Sequence, residues 1–118
     1  MSPVEAQKTL LDLSRKVQAG IQEQVKWARE KAACEREYRI GQRQAYERAP
    51  KGTAPERKAW VDAECAALRE ARDLAESMER VTDVALRVRM TEMSAVQSLL
   101  AAFKADANVT RYGPEDGP

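Results

Sequence analysis

The residues with the clearest chemical potential gather around one bend. Between Arg36 and Trp60 stand seven basic residues, Arg36, Arg39, Arg43, Arg48, Lys51, Arg57 and Lys58, against three acids, Glu37, Glu47 and Glu56. Tyr38, Tyr46 and Trp60 are interleaved with them. Cationic side chains neutralise phosphates and aromatic faces stack on unpaired bases. Arg39, Arg43, Arg48, Lys51, Arg57 and Lys58, with Tyr38, Tyr46 and Trp60, are therefore the candidate nucleic-acid contacts. The competing reading is a solvated Arg/Glu surface whose aromatics close the end of a helix seam.

Other chemistry is scarce. The chain has no histidine, which removes imidazole acid/base steps, the Ser–His and Cys–His nucleophile pairs and zinc chemistry. Its carboxylates stand at ion-pair spacing with arginines. No catalytic residue, metal ligand, cofactor or small-molecule substrate is expected, and the protein reads as non-enzymatic. Cys34 and Cys65 are expected as buried, reduced thiols, offset beyond disulfide reach.

The element that positions the basic residues is Ala49–Glu56, A-P-K-G-T-A-P-E. Pro50 disfavours helix at Ala49, and Gly52 is expected to take positive φ at the bend. Thr53 and Glu56 have capping-box spacing, with Pro55 in the first turn of the helix that follows. A first helix starts from Ser2, Pro3 and Glu5 as N-cap, N1 and N3. It carries Leu10, Leu13, Val17, Ile21, Val25, Ala28 and Ala32 along one face. The second carries Val61, Cys65, Leu68, Ala75, Met78, Val81, Ala85, Val88, Ala95, Leu99 and Phe103 near a 3.5-residue period. Gly20 and Gly41 mark either close approach of a neighbouring helix or tolerated weak points.

These signals predict an all-α fold: a long, coiled-coil-like antiparallel two-helix hairpin over residues 1–108. Helix occupies 3–49, a bend 50–54 and a second helix 55–107, with Asn108 as C-cap and a flexible tail at 109–118. At about 1.5 Å rise per residue, the helices would span roughly 70–80 Å and make a rod. Folding about Gly52 sets residue i opposite roughly 105 − i, so Val17 faces Val88 and Leu10 faces Ala95. The far end gathers Leu10, Leu11, Leu13, Val96, Leu99, Leu100 and Phe103. Adjacent leucines point about 100° apart, so one of each pair calls for a partner. These seven are the candidate oligomer interface of a homo-oligomeric helical bundle.

Composition agrees. Of 118 residues, 33% are charged and only 5% aromatic, which favours long helices over a large globular core. Residues 1–58 carry 13 Lys/Arg against 8 Asp/Glu, and the remainder 7 against 11. Opposite balances suit antiparallel pairing. No signal peptide and no run of about 18 apolar residues is apparent, so a cytoplasmic protein without a membrane span is expected.

The stretch Tyr38–Ala105 resembles small helical proteins of phage and prophage early, recombination-associated regions. Gly52, Thr53, Glu56, Arg57, Lys58 and Ala59 stand for their bend G-T-x-x-E-R-K-A. Ser94, Ala95, Gln97, Ser98 and Leu99 stand for their S-A-x-Q-S-L. The resemblance implies a phage-type accessory protein in the host-cell cytoplasm, acting by protein–protein contact beside recombination or single-stranded DNA. Two alternatives accompany it: an inhibitor docking on a host defence or replication protein, and a structural scaffolding rod.

Overall fold

The computed structural model describes residues 1–112, which form three helices and no strand. They are α1 (Pro3–Arg48), α2 (Ala54–Glu64) and α3 (Ala66–Tyr112). Both helix starts form as the sequence dictates. Ser2 Oγ accepts from the Glu5 amide at 3.1 Å while Glu5 Oε2 accepts from the Ser2 amide at 3.4 Å. Thr53 and Glu56 make the same reciprocal pair at 3.3 and 3.4 Å, satisfying orphan donors at the start of α2.

Three boundaries differ from expectation. The second helix is not continuous: it breaks at Cys65, whose ψ of 8° departs from helical geometry. The hydrogen bonds on either side survive, Cys65 N–H to Val61 O and Arg69 N–H to Cys65 O, both 2.9 Å. With its ladder intact, the break needs neither proline nor glycine. Next, α3 runs through Asn108 to Tyr112, so Asn108 is not a C-cap; residues 113–118 of the expected tail lie outside the described residues. Finally, no described glycine has positive φ. A Cβ at Gly52 would lie 2.6 Å from Glu56 Oε2, the oxygen that accepts from Thr53, so a side chain there would displace the end of the flexible Glu56 side chain.

The chain divides into two compact units: Met1–Ile21 with the chain from Val84 onward, and Gln22–Asp83. In the second unit, Gln24 Nε2 donates to Asp83 Oδ1 at 2.9 Å and Lys31 Nζ lies 3.8 Å from Glu79 Oε2. Arg72 stacks on Tyr38, and Gly41 lies against Leu68. Partner numbers on α3 fall as those on α1 rise, so the two helices are antiparallel here. In the first unit Gly20 meets Leu86, and Pro3 and Gln7 share a shallow groove with Leu100, Phe103 and Ala107.

The covered positions follow a strict seven-residue repeat. On α1 one column is Ala6, Leu13, Gly20, Trp27, Cys34 and Gly41; the other is Leu10, Val17, Gln24, Lys31, Tyr38 and Ala45, all buried or half-buried. On α3 the columns are Leu68, Ala75, Thr82, Arg89, Val96, Phe103 and Arg72, Glu79, Leu86, Met93, Leu100, again buried or half-buried. This corrects the sequence reading. Ile21, Val25, Ala28 and Ala32 are exposed, as are Val81, Ala85, Val88 and Ala95. Val88 and Ala95 are therefore not the seam partners of Val17 and Leu10. A 3.6-residue stripe drifts about 20° per heptad from a 3.5-residue seam, and following apolar residues alone drifts with it.

Candidate interaction surfaces

Near the bend, Tyr38, Ala45, Val61 and Cys65 form a buried cluster against which Ala49, Trp60 and Leu68 pack. This places one of the three expected stacking residues, Tyr38, in a core and a second, Trp60, half-buried against it. Tyr38 is only 9% exposed; its hydroxyl accepts from Gln42 Nε2 at 2.9 Å, and the Arg72 guanidinium covers its ring at 4.4 Å. Asp73 Oδ1 accepts from Arg72 Nη2 at 3.0 Å, which holds the guanidinium proton more firmly still. Tyr38 therefore offers no open face to a base, while Trp60 is half-buried. Tyr46 does offer one: it is exposed and lines a shallow groove with Ala54, Pro55, Arg57 and Lys58.

The basic candidates divide in the same way. Arg57 reaches back from α2, its Nη2 donating to the Tyr46 backbone carbonyl at 2.9 Å. That carbonyl belongs to the last turn of α1, whose acceptors have no partner within the helix; it also accepts from the Ala49 amide at 3.3 Å, so Arg57 is its second donor. Arg57 thus caps α1, a role that sequence spacing did not reveal because donor and acceptor lie eleven residues apart. Arg39, Arg43, Arg48, Lys51 and Lys58 are exposed and form none of the described ion pairs.

Of the expected oligomer interface, Leu13 is buried within its own unit, and Leu10, Val96, Leu99, Leu100 and Phe103 are half-buried. These contribute to the unit's own packing and keep part of their surface open. Leu11 remains open at 61%. A further uncharged surface lies on α3 in the first unit. There residues 88, 95 and 102 are Val, Ala and Ala, and residues 84, 91 and 98 are Val, Thr and Ser. These six positions are exposed, with Val84 at 60% and Val88 at 50%. At 100° per residue they lie opposite the covered columns of α3. In the first unit Val84 and Val88 line a groove with Arg87, Thr91 and Glu92.

The cysteines are free and buried. Burial pushes the Cys34 thiol up from its ordinary 9.0, and the neighbouring Glu30 and Glu37 carboxylates push it further. Among the described residues, no group of three His, Cys, Asp or Glu is arranged to hold a metal, and no helix is long and apolar enough to cross a membrane. No family model, curated protein or solved structure matches this chain.

Proposed function

We propose that this chain is a non-enzymatic interaction protein: a coiled-coil hairpin that assembles with a second copy along the outer face of α3 and so forms a helical bundle. The observation that carries the reading is the second seven-residue repeat on α3 in the first unit, six uncharged, exposed positions in a chain that is one-third charged. A seven-residue repeat of uncharged residues suits a helix supercoiled against it, and branched Val84 and Val88 suit the close layers of such a seam. In the setting suggested by the likeness to phage accessory proteins, the bundle would act by contact with partners working on DNA.

Light scattering coupled to gel filtration tests the assembly. Wild type should elute with at least twice the chain mass, and Val84→Glu/Val88→Glu should elute as the single chain with helicity unchanged. Wild type at the mass of one chain would refute it. Burying a valine side chain stabilises by about 1.5 kcal/mol, so removing two should weaken pairing by at least about a hundredfold.

A further inference from the structure

We propose that the arginine face of α1 in the second unit is a track for the phosphate backbone of a single-stranded nucleic acid. The surface is distinct from the outer face of α3, and its argument is independent of association.

Arg29, Arg36, Arg39 and Arg43 fall within an arc of about 80° on α1, at 100° per residue. All four are exposed. Glu35 precedes Arg39 by four residues and Glu47 follows Arg43 by four, yet neither spacing closes into one of the described ion pairs. The contrast with other arginines is direct: Arg57 caps a helix, Arg72 is bound to Asp73 and Tyr38, and Arg89 lies 3.4 Å from Glu92. Four guanidinium groups on one face thus keep their N–H forks unspent, and that planar fork matches phosphate oxygens in pairs. The bend itself, where Arg57 donates to the Tyr46 carbonyl, Tyr38 is buried and Trp60 is half-buried, is less suited than this face.

The row runs from Arg29 to Arg43, fourteen steps of 1.5 Å or about 21 Å along the helix. Apolar Val25, Ala32 and Ile40 are exposed among the arginines, and exposed Tyr46 lies three residues beyond Arg43. They give unstacked bases a surface beside the phosphate row, the combination that single-strand binders use. An acidic helix has carboxylates for the forks but no bases for Tyr46.

The test is fluorescence anisotropy of labelled oligo(dT) and oligo(U), of about 20 nucleotides, titrated with the full chain. At about 50 mM salt both should bind, with log K falling against log salt at a slope near −3, as for four contacts at −0.7 each. Arg36→Gln/Arg39→Gln/Arg43→Gln should weaken binding at least tenfold and flatten the slope. A control, Lys8→Gln/Arg15→Gln/Lys16→Gln, removes equal charge from the first unit and should leave binding within about twofold. Circular dichroism checks that each variant stays helical. Absence of binding, equal loss in the control, preference for duplex, or equal competition by poly-glutamate would each overturn the proposal.

Discussion

The Arg72 guanidinium lies 4.4 Å from the centre of the Tyr38 ring, closing over an aromatic that the chain's basic bend seemed to offer to a ligand. The contact joins α1 to α3 within one unit and makes Tyr38 part of the structure that holds the arginine face in place. Replacing Tyr38 by Ala should cost about 3 kcal/mol or more, the scale for a buried aromatic. Tyr46→Ala, at an exposed position, should cost less than about 0.5 kcal/mol. Urea unfolding of the two variants distinguishes them, and equal costs would contradict the core assignment.

Two glycines give a second contrast. A Cβ at Gly41 would lie 2.5 Å from Leu68 Cδ1, whereas one at Gly20 would lie 3.1 Å from Leu86 Cδ1. Alanine gains about 1 kcal/mol in helix propensity at either site. At Gly41 overpacking costs about 1–3 kcal/mol, so Gly41→Ala should lower stability by about 1 kcal/mol. Gly20→Ala, where Leu86 yields by a few tenths of an ångström, should be neutral or stabilising. Thermal unfolding reads both.

Removing the Arg57 contact should loosen the bend. Arg57→Ala deletes the donor to the Tyr46 carbonyl, at a cost of about 1 kcal/mol. Hydrogen exchange should rise across the last turn of α1 while the amides around Leu13 and Val17 are unchanged. A uniform rise along the chain would show that Arg57 acts otherwise.

Cys34 should behave as an inert thiol. Its pKa is raised in the folded state, so the neutral form is favoured there. The associated stability is complete below the unfolded thiol's pKa and is lost as pH rises through the higher folded value. Alkylation at pH 8 should be slow in the native protein and fast in urea, and stability should fall above about pH 9. Cys34→Ala should flatten that decline. Equal alkylation rates in the two conditions would contradict the assignment.

Much of the backbone was legible because its signals are local. Ser2–Glu5 and Thr53–Glu56 announce two helix starts, and Pro50 with Gly52 announces the bend. The seam was legible only as far as Val17. Beyond it the covered positions are Gly20, Gln24, Trp27 and Lys31, while Ile21 and Val25 stand outside. Hydrophobicity therefore points to the wrong face. The polar seam residues are tolerated because they meet each other, Gln24 with Asp83 and Lys31 with Glu79. On α3 the same ambiguity has a different origin. Val88 looks like a seam residue because it belongs to a second seven-residue repeat, and a sequence cannot tell which of two such columns its own chain covers. The break at Cys65 leaves no compositional mark. The arginine row is partly visible in the sequence: Arg36, Arg39 and Arg43 belong to the basic stretch around the bend, whereas Arg29 lies outside it.

Sedimentation equilibrium of the wild-type chain, compared with Val84→Glu/Val88→Glu from micromolar to near-millimolar concentration, tests most directly whether the outer face of α3 binds a second copy. The wild type should show a concentration-dependent mass rising to at least twice that of one chain, and the variant the mass of one chain throughout. A wild type that stays at the single-chain mass over the whole range, or a variant that associates equally well, would contradict the account.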